Sequence, residues 1–434
     1  MMKKKRVLAV LLAVSMMAAA AVGCGSDGKK DGTEESGKQE TAGSKTVTMM
    51  GWYDEADMKG VLEAINAKMD QKYTLEYTYV SNSDYNNVLS TQLAAGEGPD
   101  IVMDGTGFVA KVKAGNVKDI TDYELLNDFN EAGLTLTSAN GKIYGIPSYG
   151  WFGGVWYNKD ILAECGVEVP GTFDEYVAAC EKIKAAGHVP MEFGLADDST
   201  VVNSLMGHLE NSFYHNNEAN GDGTGFDEKF AKGEVTMDGN INDSVKQWAT
   251  LIDKGFITPE MLGISVQEAL NHFKTGEVAF FNGGPWQYNE IKEAGLNFGM
   301  IPQLNETGEN LYLVGGPAAC FGINVNSKNM DGAEAALEAL ASVEVQQAFV
   351  DANTGGFSYR AGVTVKMPEE YDDVAEIINS GNVECPWDRW AINMPSQAVL
   401  DELAAQLQGV ISGDITTDEC VKAIDTKADS IRYE

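Results

Sequence analysis

"TVTMMGWYDEADMKGVLEAINAKMDQKYTLEYTYV", Thr46–Val80, decides the fold. It opens with a short run rich in strand formers. Met58, Val61, Leu62, Ile65 and Met69 then recur at i, i+3, i+4, i+7 and i+11, which is one face of a helix. "TLEYTYV" alternates like a strand. Strand, loop, helix, strand in so short a span is the unit of a parallel sheet covered by helices. Open sheets of that kind bind ligands beyond the carboxyl ends of their strands. The loop "GWYDE" lies at such an end, so Trp52, Tyr53 and Glu55 are the first candidate contacts.

The alternation continues outward. A helix is expected from Tyr85 to Ala95 with Asp84 as its cap, followed by "GEGPDIVM", a tight turn into a short buried strand. Asp104 lies in the loop "MDGTG" that follows. "GTFDEYVAACEKIKAAG" has Thr172 placed to cap a helix with Asp174 and Glu175 in its first turn, and stops at Gly187. After Pro317, "AACFGINV" reads as a strand and "DGAEAALEALASVEVQQAFVDAN" as an amphipathic helix. The tail is helical in two pieces.

Ahead of this region, Lys3, Lys4, Lys5 and Arg6 precede the apolar run Val7–Val22, the pattern of an export signal over residues 1–23. "AVGC" resembles the lipobox of bacterial lipoproteins, which implies that Cys24 is acylated and becomes the first mature residue. Ala21 stands where a larger aliphatic residue is usual, so a soluble secretory signal is the alternative. Residues 24–45 hold no aromatic or branched aliphatic side chain and are expected to form a disordered tether.

The rest is too long for one ordinary core and suits two domains. Formal net charge is −34, from 65 acidic against 31 basic residues. Such a surface repels phosphate backbones and excludes nucleic acid as a partner. Beyond Cys24, five cysteines without close pairs read as buried thiols with at most one bridge, and the four scattered histidines suggest no metal site. No cofactor is expected. "NNEANGDGTGFD", Asn216–Asp227, spaces oxygen-bearing side chains like a calcium loop, but Asn216 and Asp227 replace the usual first Asp and last Glu. A plain polar loop is the preferred reading.

Several stretches fall into a known order: "AAGEGPDIVMDG", "GKIYGIPSYGWFGGVWYNKDIL", "FKTGEVAFFNGGPW", "FGINVNSKN" and "GDITTDECVKAIDTKADSI". Together they resemble the family 1 extracellular solute-binding proteins of ABC importers, the sugar-binding group that includes maltose-binding protein. The resemblance runs from about Thr46 to the C-terminus. It implies an α/β, two-lobed periplasmic-binding-protein-like fold (type II), whose hinge-linked lobes close over a ligand. Carried onto this chain, lobe 1 would hold 46–148 and 321–356, and lobe 2 would hold 155–317 and 357–434. The chain would cross near Tyr149–Gly153 and Pro317–Cys320.

The implied function is capture of an extracellular carbohydrate by a monomer, held to the outer face of the bacterial cell membrane by its lipid and handing the ligand to the transmembrane subunits of an ABC permease. Sugar rings favour aromatic platforms and planar polar side chains. Trp151 falls at the first crossing, although maltose-binding protein has a carboxylate there. Trp286, in "NGGPWQY", matches the family's stacking aromatic. Asp197 lies where sugar binders carry an acidic residue. In "CPWDRW", one of Trp387 and Trp390 is expected to face the cleft, with Arg389 and its neighbour Asp388 in reach of hydroxyls or a charged group. Trp156 and Trp248 are assigned to core. The rivals are the same importer role for a peptide or polyamine and, more remotely, a glycoside-acting enzyme. Against the enzyme, no G-x-S-x-G, H-E-x-x-H or P-loop pattern occurs.

Overall fold

The computed structural model describes residues 45–69, 72–215 and 224–433. The export signal, Cys24, the tether up to residue 44 and most of the calcium-like loop lie outside the described residues.

The opening stretch folds as its pattern dictates. Thr46–Gly51 and Thr74–Tyr79 pair in parallel. The helix Glu55–Lys68 between them starts on Asp54, whose carboxylate accepts the backbone N–H groups of Ala56 and Asp57. Met58, Val61, Ile65 and Met69 are buried beneath it, and Leu62 is half-buried. Each fully buried side chain of that size contributes about 1.5–3 kcal/mol. The next helix runs Asn82–Ala95, one turn longer than expected. Asp84 is therefore not its cap but a first-turn residue that accepts the Ser81 hydroxyl at 2.8 Å.

Two sheets result. The first runs Thr74–Tyr79, Thr46–Gly51, Ile101–Asp104, Cys320–Ile323, Ile146–Pro147. Its first three strands are parallel, and Cys320–Ile323 returns antiparallel between the other two. The second runs Val383–Glu384, Leu313–Pro317, Tyr149–Asn158, Val278–Gly283, Val189–Met191, and Phe298–Ile301 and Phe357–Ser358 also pair with Tyr149–Asn158. That ten-residue strand is buried along nearly its whole length, which explains its near-continuous run of apolar residues and glycine. At Gly150 a Cβ would fall 2.2 Å from the Phe357 ring, so no larger residue fits there.

The chain changes sheets at Ser148 and at Ala318–Ala319, and these two crossings hydrogen-bond to each other. Ser148 N–H donates to Ala319 C=O at 2.8 Å, and Ala319 N–H donates to the Ser148 hydroxyl at 3.0 Å. Tyr149–Gly153, expected to form the crossing, already belongs to the second sheet. A third passage follows Phe357–Ser358. Tyr359, Val363 and Val365 pack on the first core, and Tyr371 and Val374 on the second body, so the changeover falls later than Gly356. The helices Ser396–Ser412 and Thr417–Ile431 cover the second body, packing on Asp198–Leu209 and Asn242–Asp253. Across the rim, the Thr106 hydroxyl donates to Gln397 Oε1 at 3.2 Å, and Lys113 Nζ sits 3.9 Å from the Tyr433 ring centre.

Among the described residues all five cysteines are unpaired thiols, and no helix is long and apolar enough to cross a membrane.

Candidate functional site

The sheet crossings place an aromatic wall between the two bodies. Trp151, on Tyr149–Asn158, is half-buried and packs against both main cores. Trp286 follows the end of Val278–Gly283 in a single helical turn, Pro285–Gln287. Their rings meet edge to face at 6.0 Å between centres and 62° between planes. Trp286 is 48% exposed, more than almost any other large apolar side chain described. A Cβ at Gly284 would lie 2.3 Å from the Trp286 ring, so only glycine lets the indole lie over this turn. An exposed indole held rigidly against a second one is a platform for a flat apolar face.

Around Trp286 lie two hollows. One, of about 300 Å³, is lined by Gly153, Asp197, Asn203, Asn282, Trp286 and Gln287, among others. Asp197 is exposed at the start of Asp198–Leu209, and its Oδ2 accepts Val266 N–H at 2.9 Å, which orients the carboxylate. Asn282 and Gln287 are buried polar side chains that periodicity does not single out. Their one signal is an asparagine inside the apolar run "AFFNGG". The other hollow, of about 310 Å³, joins Trp286 and Asn289 to Tyr53 and Asn353 of the first body and to Tyr149, whose side chain packs on the first core. Burial, with Tyr149 beside it, pushes the Tyr53 hydroxyl well above its usual range. Trp52 stands edge-on to Tyr85 at 5.0 Å, and Glu55 is exposed at the adjoining helix start.

Four expected contacts take other roles. Asp104 is only 3% exposed, and its carboxylate pairs with Lys111 Nζ at 2.7 Å, so the loop charge is neutralised within its own body. Trp387 and Trp390 are both core residues, 5% and 1% exposed, and neither presents a free face. Trp390 Nε1 donates to Asp227 Oδ1 at 3.0 Å and packs edge-on against Phe230. Arg389 donates from Nε and Nη2 to Asp227 Oδ2 (2.9 and 2.5 Å) and from Nη1 to Glu384 Oε2 (2.7 Å). Its guanidinium is occupied by the fold. Asp227, the last position of the calcium-like loop, is thereby committed to Arg389 and Trp390. Trp156 and Trp248 are buried, as assigned.

The Arg389 cluster extends inward to His215 and Glu210. His215 stacks on Tyr312 at 3.3 Å, and its Nε2 lies 3.5 Å from Glu210 and 3.7 Å from Glu384. Burial pushes the Glu210 carboxyl up to about 7. Burial pulls His215 down, but the two carboxylates outweigh it and set the imidazole at about 8. Five ionisable groups share this buried space within the second body.

The likeness to known proteins agrees with this architecture. The family model for bacterial extracellular solute-binding proteins matches residues 54–347. A maltooligosaccharide ABC transporter solute-binding lipoprotein of Streptococcus pneumoniae is 24% identical over 414 residues, 90% of this chain and 92% of that protein. A galactooligosaccharide-binding protein of Bacillus subtilis is 26% identical over 354 residues, 77% and 75% of the two chains. A family 1 extracellular solute-binding protein from Bifidobacterium longum subsp. infantis superposes with a TM-score of 0.71 at 24% identity, covering 89% of this chain and all of its own. The fold is the two-lobed, type II periplasmic-binding-protein architecture, and the chain belongs to the bacterial extracellular solute-binding protein family.

Proposed function

We propose that this chain is the receptor of an ABC importer, capturing an oligosaccharide outside the membrane and delivering it to the permease. The observation that carries the reading is the Trp151–Trp286 wall between the two bodies, with the Asp197 carboxylate and the Asn203, Asn282 and Gln287 amides lining the hollow beside it. Indole faces take the C–H surface of a sugar ring, and planar polar groups take its hydroxyls. The two relatives above are named for oligosaccharides, which supports the same class here. Ligand bridging both bodies favours the closed arrangement, which the permease then recognises. Acylation of Cys24 holds the receptor, acting as a monomer, at the outer face of the cell membrane. No chemical step is required of it, so bound sugar is returned unchanged.

The test is a thermal-shift screen of the purified protein against maltotriose, raffinose, β-1,4-galactotriose, spermidine and a peptide mixture, with the recovered sugar checked for cleavage. Stabilisation by a trisaccharide supports the reading. A shift from spermidine or peptide alone would move the ligand class. Recovery of cleaved sugar would make the protein an enzyme.

A further inference from the structure

A third hollow opens beyond Trp151, about 360 Å³ in volume, between the two bodies. Glu131, Thr135 and Tyr359 line it from the first body, Cys385 and Asp388 from the second, and the strand end Gly315–Pro317 forms its floor. It adjoins the aromatic wall. Trp151 pairs with Gly316 and Gly153 with Val314 in the antiparallel register, which sets these four on one face of the sheet. Gly153 lines the Trp286 hollow, and a Cβ on Gly316 would fall 2.9 Å from Asp388 Oδ2. Trp151 therefore stands between two polar hollows.

Asp388 is the unusual member. It is 7% exposed, yet its carboxylate makes no hydrogen bond or ion pair among the described residues, because the neighbouring Arg389 guanidinium is held by Asp227 and Glu384. A buried carboxylate without a partner costs stability, and proteins commonly place such a group where a ligand completes it. We propose that Asp388 is a ligand contact: its carboxylate accepts hydrogen bonds from neighbouring hydroxyls of a sugar ring seated beyond Trp151, so that one oligosaccharide spans both hollows. This rests on the oligosaccharide-receptor reading and adds a second subsite to it.

A pH signature follows. Burial pushes the Asp388 carboxyl up to about 8, with Arg389 opposing. Hydroxyl donors favour the ionised form, so binding at neutral pH expels a proton and tightens as pH rises to about 8. The groups facing Asp388 are Arg389, Glu384, Glu131, Cys320, Cys385 and Tyr359, with Asp104 on the far side of Cys320. Burial raises both thiols and the Tyr359 hydroxyl well above their usual values, and Glu384 is held below its usual value despite burial, by His215 and Arg389. Glu210 and His215 titrate in the same window behind Arg389, so the difference between wild type and Asp388→Asn isolates the Asp388 contribution.

The experiment is calorimetric titration of the full chain with maltotriose, raffinose and β-1,4-galactotriose, between about pH 6 and about pH 9. Wild type, Asp388→Asn and Trp286→Ala are compared, and proton release is read from buffers of different ionisation enthalpy. Asp388→Asn should weaken the bound trisaccharide by about tenfold or more and abolish most of the proton release. Wild-type affinity and proton release in Asp388→Asn, with binding lost in Trp286→Ala, would overturn the Asp388 contact and leave the cleft intact. Binding by none of the three sugars would overturn the oligosaccharide reading and this inference with it. Should Asp388→Asn fail to fold, Asp388→Ser takes its place in the same comparison, and wild-type affinity and proton release in that variant would refute the contact.

Discussion

Trp286→Ala tests the aromatic wall directly, and its magnitude follows from exposure. A tryptophan side chain offers at most about 250 Å², and 48% of Trp286 is exposed. A ring stacked on that half covers about 100 Å², worth about 2.5 kcal/mol at 25 cal/mol per Å². Incomplete coverage and the water that refills the site reduce this, which leaves a loss of at least about 1.4 kcal/mol, or tenfold in Kd. Removing the indole also frees the edge of Trp151, so Trp286→Phe, which keeps an aromatic face, should fall between wild type and alanine. The assay is calorimetric titration with the trisaccharide that stabilises the wild type. Near-UV circular dichroism and a urea melt show that each variant is folded. Because Trp286 is half-exposed in the free protein, its loss should shift the urea midpoint little. Unchanged affinity in folded Trp286→Ala would remove this residue from the site and refute the platform reasoning.

Three further outcomes follow from the packing. Arg389→Met leaves Asp227 and Glu384 without their cation in a buried space and should cost about 3–5 kcal/mol in a urea melt; a loss below about 1 kcal/mol would show that the cluster relaxes to solvent. Gly150→Ala drives a methyl group into the Phe357 ring and should cost about 1–3 kcal/mol, with wild-type stability counting against the tight approach. The pH dependence of stability has a definite sign. Glu210 at about 7, Asp388 at about 8 and His215 at about 8 all lie above their ordinary values. Each contributes fully below its unfolded-state pKa, and the contribution is lost as pH rises through the folded one. Unfolding free energy should therefore fall between about pH 4 and about pH 8, by less in Asp388→Asn; a flat or rising profile would contradict these shifts.

Much of the fold was legible because its signals are local. The helix face Met58–Ile65, the Thr172 capping box with Glu175 and the Gly187 stop at φ 96° each depend on residues a few positions apart. The Asp84 cap failed for an equally local reason: Ser81, one turn earlier, starts the helix instead. Trp286 stands out as a candidate platform through the resemblance of "NGGPWQY" to the family's pattern, not through a local physical signal. The number of platforms was not legible, since a tryptophan's burial depends on what packs over it.

The sequence by itself determined the alternation of strands and helices, the sheet-forming segments, among them the one that bears Trp151, and the turns that bear Trp52 and Trp286, because backbone propensity, periodicity and capping act over a few residues. Only the tertiary structure decided which polar groups remain free. Asp227 meets Arg389 across 162 positions, Asp104 is silenced by Lys111, and Asp388 is left without a partner when Arg389 turns to Asp227 and Glu384. A charge in a low-dielectric interior is governed by whichever group lies within a few ångströms of it, and chain topology brings those groups together from distant parts of the sequence.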